Sequence, residues 1–292
     1  MIDFSGKIVV VTGGAAGIGR ATVRRFAELG AAVAVLDVNA GLVSDLRAEL
    51  GPGSLVVQGD ATDPADVAAL AAAVGDRFGK LDILVNNVGH FVTRPTRFEK
   101  LSDEQIDEVY RINLKHVFLV TRAMLPLLRE AGQGSSITTV SSIEGFRGIP
   151  GFAVYGAFKA AVTGFTMSLA LELGPDGIRV NAVAPETTDT AQVPLDQMIH
   201  PTQRHNIPHW IPLGRFGTPD DIAGCVLFLA SPLASWVSGT VVHADGGALA
   251  AAGWYRDDRG KWTNMPVIKG SGATAGREYV NSTPQANTPS SL

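Results

Sequence analysis

Residues 7–19 read Lys7-Ile-Val-Val-Val-Thr12-Gly13-Gly-Ala-Ala-Gly17-Ile-Gly19, and they join a β-branched run directly to a glycine-rich turn. The run is typical of a buried parallel strand, and residues 20–29 after the turn have helical periodicity. In that context the glycines let the main chain approach a pyrophosphate closely, and the helix N-terminus offers free N–H groups. A glycine-rich turn alone often only connects two elements, so its interpretation depends on the rest of the chain.

A second buried run, residues 32–37, ends in Asp37, eighteen residues after Gly19. A carboxylate at this position accepts hydrogen bonds from both ribose hydroxyls of the adenosine half of NAD, and it repels a 2′-phosphate. No Arg or Lys occurs at residues 38–40 or between Gly13 and Gly17. We therefore expect NAD as the cofactor and regard NADP as less favoured. Asp37 as the N-cap of the next helix is compatible with this role.

Five further strand-like runs follow, and helical patterns separate them. They are residues 54–59, 81–86, 136–140, 179–184 and 239–244. Strands that alternate with helices in this way predict an α/β fold with a parallel sheet. Ser102 to Gln105 forms a capping-box pattern that begins a helical region reaching about Leu128. Asn113 lies inside that region, where its low helix propensity predicts a backbone irregularity or a water site.

Tyr155 and Lys159 lie four residues apart in a helical pattern, so they share one face of the helix. A free tyrosine titrates near pKa ~10, which is too high for acid–base work at neutral pH. An ammonium at roughly 4 Å, with an effective dielectric constant of about 20, favours the phenolate by about 4 kcal/mol. We therefore expect the pair to exchange protons near neutrality. The alternative is a surface tyrosine and lysine at helical spacing.

Composition excludes several classes of partner. The 292 residues carry a net charge of −4 without a basic block, which excludes a nucleic-acid or anionic-membrane surface. No signal peptide is visible, and the apolar stretches fall short of the ~20 residues that a membrane span needs. Cys225 is the only cysteine, which suits a reducing compartment. We expect a cytoplasmic protein.

Residues 187–216 are polar and proline-rich, which predicts a mobile substrate lid. His200, His205 and His209 lie in this segment, but prolines interrupt any helix that would align them, so we expect no metal site.

Six motifs occur in order: Thr12-Gly13-x-x-x-Gly17-x-Gly19, Asp60, Asn86-Asn87-x-Gly89, Asn113, Ser142 and Tyr155-x-x-x-Lys159. With these motifs the chain resembles the short-chain dehydrogenase/reductase family over about residues 5–247. The resemblance implies one doubly wound Rossmann domain whose seven-stranded parallel sheet has the order 3-2-1-4-5-6-7. It also implies hydride transfer between NAD(H) and a secondary alcohol or ketone.

The same resemblance implies residue roles. Tyr155 is the general acid/base, and Ser142, thirteen residues earlier, hydrogen-bonds the substrate oxygen. Lys159 lowers the pKa of Tyr155 and binds the nicotinamide ribose, and Asn113 holds a water in a proton relay. The residues implied to line the cofactor are Gly13, Gly17, Ile18, Gly19, Asp37, Asp60, Ala61, Asn87, Val88, Gly89, Tyr155, Lys159, Pro185, Thr188 and Thr190.

Two positions depart from the family pattern. Val88 stands where the family usually has Ala, and Glu186 stands where it usually has Gly after the proline that ends strand six. Glu186 places a carboxylate near the nicotinamide and the mouth of the substrate cleft. Aromatic and aliphatic residues, Phe91 and Phe146 among them, outnumber charges around that cleft, which favours a hydrophobic or cyclic substrate.

Two other functions remain open. A 3-oxoacyl thioester reductase would share every catalytic residue. Such an enzyme ordinarily uses NADP and a basic surface for an acidic carrier, so Asp37 and a pI of about 5.9 argue against it. A non-catalytic dinucleotide-binding protein would have no reason to keep the four catalytic residues together.

The remaining predictions concern the oligomeric state and the C-terminal residues 248–292. The family resemblance implies a homo-oligomer, a tetramer more often than a dimer. We expect residues 248–270 to form a docked extension, with residues 254–268 on a neighbouring subunit, and residues 271–292 to be disordered. The alternative is that the whole tail is disordered.

Overall fold

A computed structural model describes residues 2–256 and 260–263. Seven parallel strands form one sheet in the order β3-β2-β1-β4-β5-β6-β7, which confirms the predicted α/β fold. Each strand lies within two residues of its predicted ends. Strands β1 to β7 are Ile8–Thr12, Ala32–Asp37, Leu55–Gln58, Ile83–Asn86, Ser136–Val140, Arg179–Pro185 and Val241–Ala244.

Helices cover both faces of the sheet. In the described part of the chain, helices α1 to α10 are Gly17–Glu28, Ala40–Leu50, Pro64–Phe78, Asp103–Tyr110, His116–Ala131, Ala153–Leu173, Leu195–Met198, Ile207–Trp210, Pro219–Ala230 and Ala248–Ala251. Side chains of β1 alternate between the two faces: Val9 and Val11 pack with α1, α2 and α9, whereas Ile8 and Val10 pack with α3, α5 and α6. This two-sided burial explains why the strand sequences are almost continuously apolar.

The strand order reverses between β1 and β4, which places a crevice at the carboxyl ends of these strands. The glycine-rich turn follows β1 directly and leads into α1, as the sequence predicted. The ends of β2, β4, β5 and β6 reach the same edge of the sheet because all of these strands are parallel.

The helical region around Asn113 is irregular, as its propensity predicted. Helix α4 begins with the predicted capping box between Ser102 and Gln105. A π-helical turn at Arg111–Lys115 then separates α4 from α5. Such a turn interrupts the regular hydrogen-bond ladder, and it is frequent at functional sites.

Helix α6 corrects one expectation. By length and composition alone, residues 153–176 are long and apolar enough to cross a membrane, whereas the sequence analysis found no apolar stretch of that length. The apolar character has a packing cause, because Val162, Leu169 and Leu173 are buried in the cores beside the sheet.

The segment between β6 and α9 contains short helices, α7 and α8, joined by a 3₁₀ turn at Pro201–Asn206.

The chain after α10 forms a two-stranded antiparallel sheet, in which Tyr255–Arg256 (β8) pairs with Trp262–Thr263 (β9). Arg256 donates to the carbonyl of Pro212 in the lid of the same chain. The sequence showed no strand period here, so this sheet was not predicted. Residues 257–259 and 264–292 lie outside the described residues. They include the whole of the expected disordered tail, residues 271–292, and part of the expected docked extension, residues 248–270.

Candidate active site

The glycine-rich turn is held tightly against α1 and the end of β4. A side chain at Gly19 would lie 2.1 Å from the carbonyl oxygen of Gly13, so only glycine permits this approach. Gly13 and Gly17 have φ values of 62° and 51°, a left-handed conformation that favours glycine. Asn87 fixes the turn from the other side, because its Nδ2 donates to the carbonyls of Thr12 (3.2 Å) and Gly13 (2.9 Å). The result is a main-chain floor that lines a cavity and suits a phosphate group.

Asp37 lies at the end of β2 beside this turn. Its Oδ2 accepts a hydrogen bond from the main-chain N–H of Ala15 (3.0 Å), and its Oδ1 accepts one from Asn39 (3.0 Å). These contacts fix the orientation of the carboxylate. Asn39, rather than Asp37, is the N-cap of α2, since its side chain accepts from Leu42.

Tyr155 and Lys159 lie on the inner face of α6 and are 8% and 3% exposed. The Nζ of Lys159 donates to the carbonyl of Val140 (3.2 Å) at the end of β5. Ser141 and Ser142 follow directly, and the structure separates their roles. The hydroxyl of Ser141 donates to the carbonyl of Lys159 (3.0 Å) and so holds α6 in place. Ser142 interacts instead with the phenol of Tyr155.

The structure does not show the expected lowering of the Tyr155 pKa by Lys159. Burial raises the pKa of Tyr155 to about 12, a hydrogen bond with Ser142 acts in the opposite direction, and the charge of Glu144 adds to the rise. Burial also lowers the pKa of Lys159 to about 8. The expectation placed an ammonium at roughly 4 Å and left out burial, whereas Lys159 Nζ lies 5.6 Å from the ring centroid. Loss of water therefore dominates both groups.

Asn113 is fully buried near Tyr155 and Lys159. Its Nδ2 donates to the carbonyls of His90 (2.8 Å) and Val109 (3.0 Å), and its Oδ1 accepts from the N–H of His90 (3.1 Å). The amide side chain thereby ties the loop after β4 to the π-helical turn. A side chain at Gly89 would lie 2.9 Å from Lys159 Nζ and 3.4 Å from Asn113 Oδ1, so glycine brings these three elements together.

One cavity of ≈ 370 Å³ connects these features. It extends from Asp37 and Asp60 along the glycine-rich turn to Ser142 and Tyr155. Every predicted catalytic or cofactor residue lines it except Gly19, which packs behind the turn, and Asn113, which lies behind Lys159. A dinucleotide fits this cleft, because the oriented carboxylate of Asp37 lies at one end, the glycine-rich turn in the middle, and Tyr155 and Lys159 at the other end.

Asp60 lies at the same end of the cavity as Asp37 and makes contacts within the protein. Its Oδ1 accepts from the N–H (2.8 Å) and the hydroxyl (2.7 Å) of Thr62, and its Oδ2 pairs with Arg111 (3.1 Å). It still lines the cavity, together with Ala61.

Aromatic rings form one wall of the catalytic end. The ring centroids of Phe91 and Tyr155 are 4.7 Å apart, and those of Phe91 and Phe152 are 4.8 Å apart. Thr190, in the segment expected to form the lid, approaches the glycine-rich turn, because a side chain at Gly17 would lie 3.3 Å from its Cγ2.

Several site residues were not identified from the sequence. Leu36, Gln192 and Val193 line the cavity, and only their position next to Asp37 and Thr190 signalled them. Arg147 pairs with Glu144 (2.8 Å) and with Glu186 (2.7 Å). The spacing of three residues is a sequence signal for the pair with Glu144. The pair with Glu186 joins two segments that are distant in the sequence, so no local pattern indicates it.

The lid histidines do not converge. His200 pairs with the hydroxyl of Thr202 (2.8 Å). No group of three or more His, Cys, Asp or Glu side chains that could hold a metal ion occurs within residues 2–256 and 260–263.

Comparisons with known proteins agree with this geometry. The sequence model of the family described as Enoyl-(Acyl carrier protein) reductase matches residues 13–248. The 3-oxoacyl-[acyl-carrier-protein] reductase of Thermotoga maritima is 39% identical over 247 residues, which cover 83% of this chain and 97% of that protein. The 3alpha-hydroxysteroid dehydrogenase of Mediterraneibacter gnavus is also 39% identical, over 83% of this chain and 96% of that protein. The crystal structure of 3-ketoacyl-(acyl-carrier-protein) reductase from Brucella melitensis, complexed with NADH, is similar with a TM-score of 0.76 and 34% identity. That match covers 84% of this chain and 99% of the other.

A doubly wound sheet with Ser142, Tyr155 and Lys159 at the switch-point cleft defines an oxidoreductase that acts on CH–OH groups. The chain belongs to the short-chain dehydrogenase/reductase family.

Proposed function

We propose that the protein is an NAD-dependent dehydrogenase or ketoreductase that interconverts a secondary alcohol and a ketone on a hydrophobic or cyclic substrate. The observation that carries the proposal is the convergence of Ser142, Tyr155 and Lys159 at one end of a single cavity whose other end holds the oriented carboxylate of Asp37.

Tyr155 is the proton donor to the substrate oxygen during reduction and the acceptor during oxidation. The high pKa of its buried phenol keeps it protonated, which is the form that reduction needs. Ser142 orients the substrate oxygen toward this phenol. When bound, the nicotinamide supplies or accepts the hydride at the substrate carbon.

Lys159 has two roles in this proposal. Its buried ammonium stabilises the phenolate that forms as the proton leaves, and its position suits the nicotinamide ribose. Asn113 contributes by holding the loop after β4, through its hydrogen bonds with His90, beside Lys159. In this proposal protons reach the pair past the π-helical turn that contains Asn113.

The choice of NAD rests on Asp37. Its carboxylate is oriented by the main chain of Ala15 and Asn39, and a negative charge there disfavours the 2′-phosphate of NADP. The glycines at 13 and 17 and the side chains of Ile18, Thr188 and Thr190 would hold the remainder of the dinucleotide.

We also propose a cytoplasmic homotetramer. The outer face of α6 supports the assembly, because Met167 and Leu171 are exposed there. The single free cysteine, Cys225, supports a reducing compartment.

A second candidate is reduction of a 3-oxoacyl thioester. The names of several relatives favour it, including that of the Thermotoga protein. The net charge of −4 opposes it, because an acidic carrier protein needs a basic docking surface. The hydroxysteroid dehydrogenase relative shows that the same level of identity also occurs with a cyclic-alcohol enzyme.

A reductase assay separates these candidates. Oxidation of NADH or NADPH is followed with a panel of cyclic ketones and with a 3-oxoacyl thioester. We expect higher kcat/KM with cyclic ketones than with the thioester, and with NADH than with NADPH. Preference for the thioester would select the second candidate, and no turnover of either class, despite dinucleotide binding, would favour a non-catalytic protein.

A further inference from the structure

Glu186 is held in a defined position at the catalytic end of the cavity. It follows Pro185 at the end of β6, and its side chain is only 8% exposed. Its Oε1 accepts from the N–H (2.9 Å) and the hydroxyl (2.7 Å) of Thr187, and its Oε2 forms an ion pair with Arg147 Nη2 (2.7 Å). Oε2 is buried and makes this ion pair without a hydrogen bond of good geometry, so Thr187 and the charge of Arg147 hold the carboxylate in the cavity wall.

Glu144 is the second carboxylate of the same cluster. It pairs with Arg147 (2.8 Å), its side chain is 14% exposed, and its main-chain N–H donates to Ser142 Oγ (3.2 Å). Both carboxylates line the cavity that contains Ser142 and Tyr155. We call Glu144, Arg147 and Glu186 the mouth cluster.

The mouth cluster has one excess negative charge when its members are ionised, since two carboxylates share one guanidinium. A guanidinium is a good receptor for a substrate carboxylate, but both partners of Arg147 within this cluster belong to the protein itself. The field of a net charge in a partly buried site is screened less than in water. A substrate anion beside Glu144 and Glu186 therefore meets repulsion without gaining a receptor. The cation that lines the same cavity, Lys159, is 3% exposed and donates to the carbonyl of Val140.

We propose that the mouth cluster determines the charge selectivity of the enzyme, so that neutral ketones are accepted and ketones with a carboxylate close to the carbonyl are rejected. The proposal rests on the proposed ketoreductase function. It assigns Glu186 and Arg147 to substrate specificity and explains why a carboxylate at position 186 is held in place rather than left in solvent.

The test compares 3-oxocyclohexanecarboxylate, whose carboxylate is two ring bonds from the ketone carbon, with its methyl ester. The two compounds share one ring and differ in charge. For the wild type we expect kcat/KM with NADH to be higher for the ester by about tenfold or more. Glu186→Gln removes one negative charge and should narrow this ratio. Arg147→Gln leaves both carboxylates without their partner and should widen it. If Glu186 and Arg147 only stabilise the fold, each substitution should change kcat/KM for the acid and for the ester by the same factor and leave the ratio unchanged.

Glu130→Gln is the matched control. Glu130 is exposed near the end of α5, which leads to the amino end of β5, at the opposite edge of the sheet from the site. The substitution Glu130→Gln removes the same charge and should leave the ester-to-acid ratio of kcat/KM at the wild-type value.

A wild type that prefers the acid would overturn the proposal and identify Arg147 as an anion receptor. Equal ratios in the wild type and both mouth-cluster variants would overturn it as well. If neither ketone is reduced, the proposed function fails, and calorimetric binding of the two compounds to the NADH complex then tests the charge selectivity alone. Tighter binding of the ester supports the selectivity, and equal or tighter binding of the acid contradicts it.

Discussion

At the residue scale, the burial of Lys159 predicts a pH dependence. Burial lowers the pKa of Lys159 to about 8, so its ammonium is present below that pH and is lost above it. Tyr155, with a pKa of about 12, stays protonated throughout the same range. We therefore expect kcat/KM for ketone reduction to fall about tenfold per pH unit above the pKa of Lys159.

A pH–rate profile at saturating NADH measures this effect. Lys159→Arg is the control, because a guanidinium keeps its charge to much higher pH and should remove the alkaline limb if the variant still binds NADH. A flat wild-type profile between about pH 7 and about pH 10 would contradict the role of the Lys159 charge.

Asp37 carries the second residue-scale prediction. Asp37→Ser combined with Val38→Arg should shift the ratio of kcat/KM values toward NADP by at least about tenfold, or about 1.4 kcal/mol. Val38 is 61% exposed, so an arginine there extends without a clash. Asp37→Asn keeps the shape of the side chain and removes only its charge, which separates repulsion of the phosphate from hydrogen bonding to the ribose. A wild type that already prefers NADP would show that the interpretation of β2 is wrong.

At the element scale, local patterns predicted most of the fold. The strand that precedes Gly13 and the capping box at Ser102 depend on neighbouring residues, so their signals are present in the sequence itself. The π-helical turn at Asn113 was also predictable, because an asparagine fits a regular helix interior poorly.

The features that were missed depend on distant contacts. The ion pair between Arg147 and Glu186 joins the loop after β5 to the end of β6. The pKa of Tyr155 depends on how deeply the folded chain buries it, which helical spacing alone does not determine. The paired strands Tyr255–Arg256 and Trp262–Thr263 have two residues each, too few for any alternation to be visible.

The two-stranded sheet of β8 and β9 gives an element-scale prediction. Arg256 donates to Pro212 in the lid and lies over the ring of Trp262, 5.4 Å from its centroid. Truncation after Gly253 removes these contacts, so it should lower the Tm and raise the KM for substrate. Truncation after Gly270 is the matched control and should change neither value.

Thermal melts and steady-state kinetics of both truncations decide the role of the extension. If both truncated chains match the full chain, the extension has no docked role. A change in oligomeric state after truncation at Gly253 would support the expected contact with a neighbouring subunit.

At the scale of the whole molecule, the exposed apolar face of α6 predicts assembly. Leu171 is 82% exposed on this helix, where water penalises an apolar side chain. Light scattering at micromolar concentration should show a tetramer, and Leu171→Glu should dissociate it. Phe98→Glu, on the exposed 3₁₀ turn at Phe98–Lys100, is the control and should leave the mass unchanged. A wild-type monomer would refute the assembly.

We propose that Tyr155 transfers the proton between the substrate and this enzyme. The most direct measurement is the rate of reduction of a cyclic ketone by Tyr155→Phe, with NADH affinity and Tm measured on the same sample. The phenyl ring should keep its contact with Phe91, so affinity and Tm should stay near the wild-type values. Loss of the hydroxyl should lower kcat by about 10²- to 10⁴-fold. A variant that binds NADH, stays folded and reduces the ketone at the wild-type rate would contradict the account.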